Sequence, residues 1–376
     1  MNFELSDEQR ALQEAARGAL SRHQTVAAAR EALDGGERLD LWDTAREAGW
    51  PGLLIDEDRG GAGLGGLDAM LVAAECGRVL ASVALLGHVP ATSVLNAAGG
   101  HDDLLGRLAE GDVRAAFVPA RPPGDLDPDW TVDAVQGHKR VTAPLAEVEG
   151  ARATLTGTVA WVPDAPGADV LLVVGVDSGG RPIVVLVEDG AQVEAVSRYD
   201  GTRLLGHVTL DNAGGAVIDV DEDDLRAAWY LAQGLIAAES LGAVEAALEM
   251  SIAYAKERFT FGRAIGSYQA VKHALVEVLR LMENTRSLIY YAGWAFQDAP
   301  AEFPLAASAA RVAGGKAFDF ASRELISVHG GIGATWEHDA PLYFRRAQLS
   351  RRLLGGEGSS ADQVAEQLLA QARAAA

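Results

Sequence analysis

The chain has 376 residues, 49% of them apolar and 23% charged, the balance of an ordinary globular protein long enough for two or three domains. With 53 Asp and Glu against 32 Lys and Arg, its net charge of −21 repels phosphate backbones and anionic membrane surfaces and excludes nucleic acid as a partner. An anionic ligand has to find local clusters of Arg within that acidic field, and the main one lies near the C-terminus.

The opening residues MNFELSDEQR are acidic and lack a basic segment followed by an apolar one, so no secretory signal is expected. No run of about 18 apolar residues offers a membrane span. The single cysteine, Cys76, excludes an intrachain disulfide. From these a cytoplasmic protein is expected, and Cys76, in the apolar run LVAAECGRVL, reads as a small core residue. No metal site is expected.

In chain order, Ser6 with Gln9 three positions on predicts a capping box, and Leu5, Leu12, Ala16 and Leu20 follow near helical spacing. The Gly-rich stretch from Gly49 to Gly66 cannot hold a helix and reads as a loop between helices. Its G-x-G-x-x-G-like spacing has no βαβ unit around it and is not a dinucleotide fingerprint. From about Val113 to Val220 the texture changes to short runs rich in Val, Thr and Leu, among them ATLTGTVAWV, ADVLLVVGV, RPIVVLVED and LLGHVTLDN. With turns and no helices between them, these predict a predominantly antiparallel sheet or barrel. Helical patterns return from about Leu225 to Lys256, Tyr268 to Gln297 and Ala306 to Val328, lengths that pack as a bundle. The predicted class is α+β, with an N-terminal helical domain over 1–112, a middle antiparallel β domain over 113–220 and a C-terminal helical bundle over 221–376.

Three segments on this frame carry a family resemblance. YAKERFTFGRAIGSYQAVKH, Tyr254 to His273, resembles the Y-x-x-x-R-x-x-F-G-x-x-I-x-x-x-Q element of the acyl-CoA dehydrogenase superfamily. VHGGIGATWEHDAPLYFRRA, Val328 to Ala347, is similar to its G-G-x-G signature and the helix that follows, and the L-x-G-x-x-x-W run ending at Trp161 matches its middle domain. From the residues alone, Lys256, Arg258 and Arg263 beside Phe259 and Phe261 suit a diphosphate flanked by a planar ring, or else a helix C-terminal charge cap. Two adjacent glycines, Gly330 and Gly331, let a ligand approach backbone N–H groups, or simply stop a helix.

The resemblance implies FAD as cofactor, with Arg258, Thr260, Phe261 and Gln269 of one subunit contacting the FAD of its neighbour. It also implies His329, Gly330 and Gly331 as a second wall, Trp161 over the flavin ring, and at least a dimer. It implies a flavoprotein oxidoreductase of lipid metabolism, with an acyl-CoA substrate and an electron-transfer flavoprotein or similar acceptor. The reaction is removal of a proton α to the thioester while a hydride leaves the β carbon for the flavin, giving the trans-2-enoyl-CoA.

Two departures stand out. The Thr that usually follows the tryptophan by two positions is Pro163 here, and the acidic-Gly-Ser stretch before it has no counterpart in AAFVPARPPGDLDPDW. The usual glutamate base, counted from Arg345, falls on Leu354 before Gly355, and the position some relatives use on the preceding long helix is Ala232. Glu357, in a flexible Gly-rich segment, and Glu239, on the apolar stripe of Ala232, Leu235, Ile236, Ala243, Ala246 and Met250, are the substitute candidates for the base. Glu239 carries the alternative of pairing with a buried Arg or His. The missing residues also suggest the short subunits of actinobacterial heteromeric acyl-CoA dehydrogenases, which W-E-H-D at Trp336 to Asp339 resembles. The expected assembly is therefore a homo-oligomer or a heterotetramer with a second acyl-CoA dehydrogenase-like chain, and a flavin oxidase or monooxygenase of the same fold is the third reading.

Overall fold

A computed structural model describes residues 4–119, 131–132, 140–187 and 190–374. Six helices come first: α1 (Asp7–Leu20), α2 (Thr25–Leu33), α3 (Trp42–Glu47), α4 (Gly66–Arg78), α5 (Leu85–Ala98) and α6 (Asp102–Ala109). The capping box is formed as expected. Gln9 N–H donates to Ser6 Oγ at 3.1 Å, and Ser6 N–H donates to Gln9 Oε1 at 3.0 Å. The Gly-rich stretch is a pair of short 3-10 turns and loop that hands over to α4 at Gly66.

Next come β1 (Ala115–Val118), a two-residue ribbon of β2 (Thr131–Val132) and β3 (Arg140–Val141), β4 (Leu145–Glu149), β5 (Arg152–Pro163), β6 (Val170–Val176), β7 (Pro182–Val187), β8 (Ala191–Ala195) and β9 (Leu205–Ile218). The ladder β6-β4-β5-β9-β7 closes on itself because β7 also pairs with β6. Most pairings are antiparallel, as expected. The exceptions are β1 on β6, parallel over Ala115 to Val118, and a single parallel pair between Leu145 and Val176. The run VLLVVGV of β6 is buried at every position because it faces two cores. Leu171 and Val173 point into the barrel with Leu155, Val159 and Val208, whereas Leu172 and Val174 pack on Val94 and Leu95 of α5 and Leu105 of α6.

The C-terminal part holds α7 (Glu222–Glu257), a hairpin of β10 (Phe259–Thr260) and β11 (Arg263–Ala264), α8 (Gln269–Asp298), α9 (Phe303–His329), α10 (Ala340–Ser350) and α11 (Gly356–Ala374). The middle of α7 is buried on nearly all sides and sits at the centre of the largest core, which also takes residues from α1, α4, α8, α9 and α10. Helices α4 and α7 cross at backbone contact. A Cβ on Gly77 would lie 1.9 Å from the carbonyl oxygen of Glu239, and one on Gly242 would lie 1.8 Å from that of Ala74. Cys76, one residue from this crossing, is buried, and burial pushes its thiol pKa up. No helix among the described residues is long and apolar enough to cross a membrane.

Candidate functional site

Glu239 leaves the α4–α7 crossing toward the loop that precedes β9, where Arg203 meets it with both terminal guanidinium nitrogens. Arg203 Nη1 donates to Glu239 Oε1 at 3.1 Å and Nη2 to Oε2, and the Nη1 of Arg346, from α10, lies 3.9 Å from Oε2. Arg346 in turn donates through Nε to Asp200 Oδ2 at 3.0 Å and to Thr202 Oγ1 at 2.8 Å. Both arginines are buried, and burial holds the Arg346 pKa below its ordinary value. These charges lie between the barrel end and the bundle, so the 199–204 loop is bolted to both. Glu239 is thus the acid of a bidentate buried pair, with no oxygen free of a cation.

The two places where a base is expected come together. Gln233, next to the buried Ala232 on α7, donates through Nε2 to the carbonyl of Leu354 at 3.1 Å and accepts Arg311 Nε at 3.1 Å. Arg311 is fully buried, donates also to the Ser350 and Leu353 carbonyls, and burial lowers its pKa to about 10. Leu354 sits at the turn into α11 with φ +49°. No side chain at either place can take a proton. Glu357, three residues on, accepts Arg351 Nη2 at Oε1 from 2.8 Å. Its Oε2 is buried without a hydrogen-bond partner, above Gly315, whose Cβ would stand 2.5 Å away.

Trp161 has φ +62° beside a register shift in the β5–β9 ladder, which turns its indole out of the strand. The Arg198 guanidinium lies 3.9 Å over the ring, His207 meets it edge-on at 4.5 Å, and the Trp161 backbone N–H donates to His207 Nδ1 at 3.3 Å. Pro163 follows in the strand and offers no side-chain donor. Of the preceding stretch without an acidic-Gly-Ser counterpart, residues 120–130 lie outside the described residues.

The cofactor-binding candidates at the far end of α7 are arranged differently. Arg258 ends α7, and its guanidinium has no hydrogen bond or ion pair among the described residues. The hairpin pairs Thr260 with Arg263, and Arg263 stacks on Tyr268 at 4.0 Å. Phe261, at φ +51°, is 93% exposed, and Gln269 opens α8 on the surface. One turn before Arg258, Tyr254 stacks on His329 at 4.2 Å, and His329 lies 4.1 Å from His338. His329 Nδ1–H donates to the Leu325 carbonyl at 2.8 Å, and Gly330 takes φ +62°. The Tyr254–His329 stack therefore couples the end of α7 to the His329-Gly330-Gly331 turn, whereas Trp161 is tied to its own barrel. The W-E-H-D run fastens this region to the N-terminal helices: Asp339 pairs with Arg30, and Trp336 Nε1 donates to Asp34 Oδ2 at 3.3 Å.

Sequence reasoning missed Arg203, Arg346, Asp200, Arg311 and Asp164. Asp164 is buried next to Pro163, accepts the Gly87 N–H at Oδ2 from 2.8 Å, and is pushed by burial up to about 7 from an ordinary 3.8. Between those values the folded chain keeps a proton that the unfolded chain releases, so this group's effect is a loss of stability as pH climbs from about 4 to 7. Asp164→Asn carries no charge to desolvate. Thermal melts at pH 5 and pH 8 are expected to show the variant gaining on the parent by on the order of 3 kcal/mol at the higher pH.

Two family models match the chain: the acyl-CoA dehydrogenase N-terminal domain over residues 6–104 and the acyl-CoA dehydrogenase C-terminal domain over 230–373. The acyl-CoA dehydrogenase IpdE2 of Mycobacterium tuberculosis is 32% identical over 352 residues, 93% of each chain. Among solved structures, a chain of the Tcur3481-Tcur3483 steroid ACAD is 27% identical with a TM-score of 0.84, covering 98% of this chain and 99% of that one. A chain of the ChsE4-ChsE5 complex from Mycobacterium tuberculosis is 25% identical with a TM-score of 0.84 and the same coverage. With both terminal domains matched and a relative at 32% identity along nearly its whole length, the chain belongs to the acyl-CoA dehydrogenase family.

Proposed function

We propose that this chain is the base-lacking, cofactor-sharing subunit of a heteromeric acyl-CoA dehydrogenase that oxidises an acyl-CoA thioester to its trans-2-enoyl-CoA. It lends Arg258, Thr260, Phe261, Gln269 and the turn from His329 to Gly331 to an FAD seated in a partner of the same fold. The partner supplies the carboxylate that removes the α proton. One observation carries this reading: Leu354 and Ala232 stand where a base is expected, while Glu239 and Glu357 are each held by an arginine.

FAD, when bound, accepts the hydride from the β carbon, and the chain's residues fit half of its site. The exposed, unpartnered Arg258 beside Phe261 suits a diphosphate and ring presented by another molecule. On the barrel side the fit is poor, because Arg198 and His207 already cover Trp161 and Pro163 gives no donor. The two-protein ACADs among the similar structures support a paired assembly. An electron-transfer flavoprotein or a similar acceptor would complete the proposed reaction by taking up the electrons.

A second reading rests on the unpartnered Oε2 of Glu357, which places one free carboxylate oxygen at the turn into α11. The variant Glu357→Gln separates the two. On the proposed function, flavin reduction by the assembled complex is unchanged. On the second reading, stopped-flow reduction slows by at least about 10²-fold, the loss expected for a general base.

A further inference from the structure

Just beyond the end of β5, the described residues line a cavity of about 140 Å³ between the strap that joins α2 to α3 and the loops at one end of the barrel. Arg38, Ser82, Arg114 and Asp164 line it, with Asp40 and Gly167. Arg114 is committed to Asp40, its Nη1 donating to Oδ2 at 2.6 Å. Arg38 is not committed. Its guanidinium has no hydrogen bond or ion pair among the described residues, and burial lowers its pKa even though Asp164, Asp40 and Asp200 act the other way.

Asp164 is 7% exposed, and its Oδ2 takes the Gly87 N–H while Oδ1 has no partner among the described residues. The charged groups around it are Arg203 from the loop before β9, Glu239 and Arg346 from the bundle, and Arg38, Asp40 and Arg114 from the cavity side. Burial outweighs the Gly87 hydrogen bond and the two arginines and raises its pKa to about 7, which favours the neutral acid below that pH. A neutral carboxyl donates one hydrogen bond, and an unpaired guanidinium supplies positive charge in a two-pronged geometry. That combination is complementary to a monoanionic carboxylate. At about 30 Å³ per water, the volume holds roughly five heavy atoms.

We propose that this cavity binds a short carboxylate, of acetate to propionate size, held by the Arg38 guanidinium and a hydrogen bond from the Asp164 carboxyl group. The test is titration of the full chain with sodium acetate and with sodium propionate, read by calorimetry and by ¹³C-labelled ligand shifts, at pH 6 and pH 8 and constant ionic strength. Saturable binding at pH 6 that weakens about tenfold at pH 8 is expected, following the loss of the Asp164 proton. Arg38→Met, which keeps the stem, is expected to abolish binding. Asp164→Asn, whose amide still donates, is expected to bind with the pH dependence gone. Absence of saturable binding by either acid to the parent at pH 6 overturns the proposal, as does parental binding by Arg38→Met or an undiminished pH effect in Asp164→Asn. Circular dichroism of each variant excludes unfolding as the cause of a loss.

Discussion

Glu239→Gln is expected to cost about 3 kcal/mol of stability and to leave flavin reduction by the assembled enzyme untouched. The reason is the Arg203 guanidinium, only 6% exposed, which the substitution leaves in the interior without its counter-charge. Arg346, 3.9 Å from the same oxygen, adds like charge to the problem, and Asp200 is already spent on Arg346. Breaking one side of a buried ion pair is far more harmful than replacing both sides. A double variant, Arg203→Met with Glu239→Leu, should therefore recover most of the loss, and a double-mutant cycle by urea denaturation measures the coupling. A variant with parental stability but slowed reduction would restore Glu239 to the role of base.

Arg258→Glu is expected to have the largest effect on cofactor. The side chain is exposed and makes no hydrogen bond or ion pair among the described residues, so the fold and the Tm of the isolated chain should stay at parental values. In the assembled complex the same change places a carboxylate where a diphosphate is proposed to sit, exchanging a charge-assisted hydrogen bond for repulsion. FAD retention should weaken on the order of 100-fold or more, read by flavin fluorescence released on dilution. Arg258→Lys, which keeps the charge and loses the two-pronged geometry, should fall between. Parental flavin retention in Arg258→Glu would remove the hairpin from the site.

Local patterns carried most of the fold. The capping box at Ser6, the long helical periodicities that became α7, α8 and α9, and the β-branched runs of β5, β6, β7 and β9 were legible because each is set by neighbours a few residues apart. The run LLGHVTLDN marks only the first part of β9, which continues through Gly214 and Gly215 to Ile218, with Asn212 at φ +54° and Gly215 passing so close to β7 that a Cβ would meet the Leu186 carbonyl oxygen at 2.4 Å. The short β8, AQVEA, alternates over only five residues and is mostly exposed, too little to announce itself, and its pairing with β9 makes it a strand.

The site was legible in a different measure. The absence of a base at Leu354 could be read directly, since one residue at one offset decides it. The fate of Glu239 could not, because its partners, Arg203 and Arg346, are 36 and 107 positions away and only the packing of α7 against α10 and the 199–204 loop unites them. An acid on an apolar stripe is compatible with both a base and a buried ion pair, and the choice depends on what the third dimension brings opposite it. Nothing near Asp164 in the sequence announced an unpaired carboxyl either, as its environment comes from α5 and from the strap before α3.

The central claim is that this chain carries part of a flavin site but no proton acceptor of its own. Anaerobic mixing with a panel of acyl-CoA thioesters, followed by the flavin absorbance near 450 nm, tests it most directly, using the purified chain supplied with FAD and the same chain co-purified with its acyl-CoA dehydrogenase-like partner. Bleaching that appears only in the co-purified assembly is the expected result. Stoichiometric bleaching by the chain alone would contradict the account.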